Sequence, residues 1–137
     1  MILNSWKECL ENNCATPISS DKQKAKSLIK TAKGRIKFLQ ENKIKDENAN
    51  YIFEGYYSSL IEHLHAIAII KGYKISNHVC LGYFILNVLK KEKMYKLFED
   101  CRFKRNALLY SGSTMDKKTA IRSIKQIKQI LFDIKDD

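Results

Sequence analysis

Arg105 and Asn106, followed four residues later by Tyr110, are the side chains of this sequence best suited to meeting a phosphate group. A guanidinium offers a planar fork of N–H donors that matches phosphate oxygens, and a phenol can donate to such an oxygen or stack on a base. On a helical wheel Met94, Leu97, Phe98, Cys101, Leu108 and Leu109 share one side, and Arg105 lies among them. A cation turned toward a protein interior is expensive to desolvate unless it is paired. Either its stem is buried while its head reaches water, or a carboxylate or an anionic ligand meets it.

A carboxylate is available upstream. Glu54, Ser58, Glu62 and His65 fall on one ridge of an otherwise apolar segment, at i, i+4, i+8 and i+11. That ridge is either the exposed edge of its helix or one wall of a cleft in which Glu62, or else Glu54, holds Arg105. Geometry adds a constraint. Residues five apart on a helix diverge by about 140°, so Arg105 and Tyr110 cannot point at one phosphate from a regular helix, whereas Asn106 and Tyr110 share a face. Convergence needs an unwound turn near Ser111-Gly112 or a second chain.

The elements that must position these residues are helices. Five Gly and one Pro in 137 residues leave too few turn signals for an all-β domain. Ser5 with Glu8, and Ser20 with Gln23, have the spacing of capping boxes, and Thr16-Pro17 breaks the chain between them. From Ser20 to about Asn42, Ala25, Leu28, Ile29, Ala32, Ile36 and Leu39 repeat at helical spacing among seven basic residues, and Lys43 to Asn48 reads as a loop. A long apolar helix is expected from about Asn50 to Lys71, closed by Gly72. Tyr73 to Ile75 connects to a fourth helix that Ser76 can cap and that runs to Lys91. A fifth covers about Met94 to Tyr110. The last begins near Asp116, with Ala120, Ile124, Ile127, Leu131 and Ile134 forming a seam for another helix. Short connections favour antiparallel neighbours. The expected fold is all-α: a single domain over residues 1–137, built as an up-and-down antiparallel bundle of four long helices plus one or two shorter ones.

Composition narrows the function. With 45% hydrophobic and 29% charged residues the chain has the balance of a folded globular domain. No apolar run approaches the ~20 residues of a membrane span, and Lys7 and Glu8 interrupt any signal-peptide centre, so no membrane partner and a cytoplasmic location are expected. Cys9, Cys14, Cys80 and Cys101 form no Cys-x-x-Cys pair and are expected as reduced thiols. His63 and His65 diverge by about 160° on a helix, so neither metal nor cofactor is expected. The formal net charge of +10 attracts anions, nucleic acid above all, although a solvated lysine-rich surface has the same composition.

Tyr57 with Leu60-Ile61-Glu62-His63-Leu64-His65-Ala66, then Lys71-Gly72-Tyr73-Lys74 and Asn77-His78, resembles the central helical hairpin of archaeal and bacterial HEPN proteins. Arg105-Asn106-Ala107-Leu108-Leu109-Tyr110-Ser111-Gly112 resembles their signature. The resemblance spans about Tyr51 to Gly112. It implies a helical domain, commonly a homodimer with facing motifs, that acts on RNA as a metal-independent endoribonuclease or accompanies a minimal nucleotidyltransferase in toxin-antitoxin or related pairs. Arg105 and Asn106 match the family motif. Its histidine, expected after four to six intervening residues, is replaced by Tyr110, and no histidine follows in the chain. In the family reaction a ribose 2′-OH attacks the adjacent phosphate. Imidazole moves protons near neutral pH, whereas tyrosine, with a reference pKa of about 10, is a poor base there.

The resemblance therefore implies first an RNA- or nucleotide-binding domain with little or no catalysis, in which Arg102, Arg105, Tyr110, Glu62 and His65 meet the ligand. The alternative is an endoribonuclease with Arg105 as electrostatic stabiliser, Asn106 and Tyr110 as positioners and Glu62 as orienter, His65 or His78 being the available substitute bases. A third reading is a dimerising helical bundle that binds nothing specific.

Overall fold

A computed structural model describes residues 2–134, so the first and last three positions of the expected domain lie outside the described residues. The described residues are mostly helical, with four long helices, two short ones and a two-stranded sheet. Helix α1 (Trp6–Glu11) starts at Ser5, whose hydroxyl accepts from the Glu8 N–H at 3.2 Å while the Glu8 carboxylate accepts from the Asn4 N–H at 2.7 Å. The Ser5 capping signal thus marks a true start. For α2 (Lys22–Gln40) the cap lies one residue later than expected. Asp21 accepts from the Lys24 N–H, and Ser20 instead donates to the Ile70 carbonyl.

Helix α3 (Ala49–Ile70) buries twelve of its residues and is the centre of the protein, with α2 on one side and α6 (Lys117–Ile134) on another. Gly55 lets α2 approach, since a Cβ there would lie 2.8 Å from Leu39 Cδ1. On α6, Ala120, Ile124, Ile127, Ile130 and Ile134 face the core, close to the expected seam. Gly72, at φ +90°, ends α3 in the left-handed region that suits glycine.

Two expectations fail after α3. The connection Tyr73–Ile75 is a strand, β2, paired antiparallel with β1 (Ala15–Pro17) so that Ala15 faces Ile75 and Pro17 faces Tyr73. The fourth helix is not one continuous element. It comprises α4 (His78–Tyr83), capped by Asn77 and not by Ser76, and a π-helical turn Phe84–Val88 that ends before Lys90 at φ +59°. Helix α5 (Glu92–Tyr110) follows and packs on α6 and on α4. Cys9 and Cys80 form a disulfide between α1 and α4, correcting the reading of all four cysteines as thiols; Cys14 and Cys101 are free. No described helix is long and apolar enough to cross a membrane.

Candidate functional site

Arg105 is half-buried on α5 and turned toward α3, as the wheel requires. Its guanidinium carbon lies 5.6 Å from the centroid of the Tyr57 ring. The partner is therefore an aromatic face, which attracts the cation through its quadrupole without neutralising it.

Glu62 is not that partner. It forms a two-pronged ion pair with Arg35 of α2, one Nη1–Oε1 contact and one Nη2–Oε2 contact at 3.4 Å, and Arg35 Nη1 also donates to Ser59. The polar ridge of α3 is thus in part the seat of a basic side chain from α2. Glu54 makes no ion pair with Arg105 either. Among the described residues no carboxylate oxygen comes within 4.0 Å of the Arg105 guanidinium. Arg102, one turn earlier, is matched by Glu99 on its own helix: Nε donates at 2.5 Å and Nη2 at 3.2 Å. Those bonds raise the Arg102 pKa and keep it charged.

Tyr57 is 2% exposed, and its hydroxyl lies 2.9 Å from Nδ1 of His78. Asn77 places this histidine by accepting from the Cys80 N–H at 2.8 Å, which starts α4 with His78 in its first turn. Burial first, then the charges of Arg105, His65 and Arg102, push the His78 pKa down to about 4. The imidazole is neutral at physiological pH. His65 on α3 is also pushed down, chiefly by burial.

His78, Arg102, Arg105, Asn106 and Tyr110, with Asn77 and Val79, line one open groove of about 320 Å³. Four of the six expected site residues meet there, while Glu62 faces α2 and His65, on α3, does not line the groove although it is near enough to His78 to depress its pKa. Helix α5 remains regular through Tyr110, and Gly112 at φ +65° follows the end of the helix. Arg105 and Tyr110 consequently share the groove as wall and rim. Tyr110 is 79% exposed, a position suited to stacking.

No family model, curated protein or solved structure matches this chain. The groove offers one cation without a matching carboxylate, a second cation with N–H groups to spare, a neutral imidazole, an amide and an exposed phenol. Such a set can hold an oxyanion and a flat base beside it. What sequence reasoning missed is the pair that organises the set. Tyr57 enters the sequence reading only through the resemblance, and His78 through the resemblance and as a substitute base; nothing in their 21-residue separation announces a hydrogen bond.

Proposed function

We propose that this chain is a HEPN-like domain that binds RNA or a nucleotide through a phosphate held in the Arg105 groove, and that it binds more readily than it cuts. The observation that carries this reading is Arg105 itself: half-buried, laid on the Tyr57 ring, facing a groove and lacking a carboxylate among the described residues. An anion arriving there supplies the partner that the fold omits. Tyr110 at the rim supplies a stacking surface, and the basic face of α2 adds long-range attraction.

The finer architecture belongs to the same reading: an up-and-down antiparallel bundle, working as a homodimer in the cytoplasm. Phe103 and Tyr110, both strongly exposed and seven residues apart on α5, form a stripe beside the groove that suits a second copy. A companion nucleotidyltransferase, as in toxin-antitoxin pairs, is the partner protein the resemblance implies. The buried Cys9–Cys80 bond sets a condition on the compartment, because cytosolic thiol systems reduce disulfides they can reach.

A single-stranded oligoribonucleotide tests the proposal. Affinity should fall steeply with salt, with a log–log slope of about −0.7 per phosphate contact. Arg105→Ala should weaken binding at least about tenfold, as expected for removal of a charge-assisted bond, and should flatten the slope by one contact. A salt-insensitive complex, or one indifferent to Arg105→Ala, refutes it. The nuclease alternative is favoured by the presence of a histidine in the groove. It requires cleavage of the same RNA in EDTA that Arg105→Ala abolishes.

A further inference from the structure

The Tyr57 hydroxyl is buried, and among the described residues its hydrogen-bond partner is Nδ1 of His78. Two arrangements fit the distance. If Nδ1 carried the hydrogen, the phenol would accept it and its own O–H would be buried without an acceptor, a penalty of about 1–3 kcal/mol. If the phenol donates, both groups are satisfied, and the neutral ring must carry its hydrogen on Nε2. The second arrangement is the stable one.

We infer that Tyr57 is the positioning residue of the groove: its hydroxyl fixes His78 as a neutral Nε2–H donor while its ring carries Arg105, so that the groove is set to receive a fully deprotonated oxyanion. This deepens the phosphate-binding reading and rests on it for the ligand. The assignment for His78 stands on the free protein alone. His78, Arg102 and Arg105 then offer donors and no acceptor, which suits a phosphodiester or a sulfate, neither of which has a proton to donate. It also removes His78 as a general base at Nε2, since that nitrogen's lone pair is delocalised in the protonated tautomer.

The charged and titratable groups around His78 agree. From α3 come Tyr57 and His65, and from α5 come Arg102 and Arg105; none is a carboxylate that would favour the imidazolium. Protonating Nδ1 would also reverse the bond to the phenol and leave the buried phenol O–H without an acceptor. Burial raises the Tyr57 pKa above its ordinary value, so the phenol keeps its hydrogen.

Long-range ¹H–¹⁵N correlation on ligand-free ¹⁵N-labelled protein reads the tautomer directly. Wild type should show His78 protonated at Nε2, bare at Nδ1, and neutral down to pH 5. Tyr57→Phe keeps the ring and should mix the two tautomers and raise the titration of His78 only in part, since burial and the neighbouring cations, the larger causes of its depression, remain. A wild-type His78 protonated at Nδ1, or a Tyr57→Phe spectrum and titration identical to wild type, overturns the inference. Should that variant fold poorly, the wild-type tautomer alone decides. Titration with inorganic sulfate then tests the donor role, and His78→Ala should weaken sulfate at least about tenfold. Unchanged affinity overturns that role. If sulfate fails to bind wild type while the tautomer is as stated, the oxyanion reading falls and the Tyr57–His78 arrangement survives.

Discussion

His78 is buried as an uncharged ring, and that has a consequence for stability. Its folded-state pKa of about 4 lies below the unfolded value of about 6.5, so between those values the unfolded chain binds more protons. Stability must therefore rise with pH across this window. The full contribution is present above about pH 6.5 and is lost as pH falls toward 4. His63 and His65, also pushed down mainly by burial, act in the same direction. Urea unfolding at pH 7.5 and pH 5 should differ by a few kcal/mol at most, a range set by the 1.36 kcal/mol per pKa unit, and His78→Gln should make the dependence shallower. A flat profile would mean that His78 is solvated. At this scale the sequence revealed that Arg105 turns inward, because one wheel carries that information. It could not reveal what Arg105 meets. Glu62 looked available on its ridge, yet the crossing of α2 over α3 delivers Arg35 to it, and the crossing of α5 over α3 delivers the Tyr57 ring to Arg105.

The elements show which sequence signals decide structure and which mislead. Side chains that can reach a free N–H at a helix start compete, and Asp21 wins over Ser20 because Ser20 is engaged by the Ile70 carbonyl across the molecule. Val79, Leu81, Phe84, Ile85, Val88 and Leu89 repeat as one helix would. The π turn inserts an extra residue, with Leu89 N–H bonded to Phe84 C=O at 3.0 Å, and a 3.6-residue period cannot register it. Helix α4 is consequently only six residues long and depends on its cap. Asn77→Ala removes the acceptor for the Cys80 N–H and should destabilise the protein by about 1 kcal/mol. Because His78 lies next in the chain, the same change should broaden its ring resonances. Chemical denaturation and NMR check the two effects, and Ser76→Ala, which removes an exposed hydroxyl that donates to the Cys14 carbonyl, is the matched control.

Over the whole molecule, the groove is held by segments far apart in sequence. The antiparallel register of β1 and β2, with Ala15 opposite Ile75, brings the stretch before β1 against the stretch after β2. Cys9 and Cys80 lie on those two stretches, on α1 and α4, and their sulfurs join there. Nothing in the sequence signalled this pairing, because it follows from a three-residue sheet in a chain whose periodicities are all helical. Trp6 contributes to the same clamp, packing on Tyr73 and Phe84, and Tyr83 donates to the Leu3 carbonyl. The bond closes a sequence separation of 71 residues. Chain-entropy arguments put the stabilisation from a closed loop of that size at about 4 kcal/mol, acting through the unfolded state. Reduction should then lower the urea midpoint strongly, and Cys9→Ser should reproduce the loss in the absence of reductant. Since the constraint acts largely on the unfolded chain, the folded groove should keep its oxyanion affinity under reducing conditions as long as the protein remains folded. Sulfate binding that disappears on reduction at concentrations of urea where the helices persist would instead make the α1–α4 bond a determinant of the groove's shape.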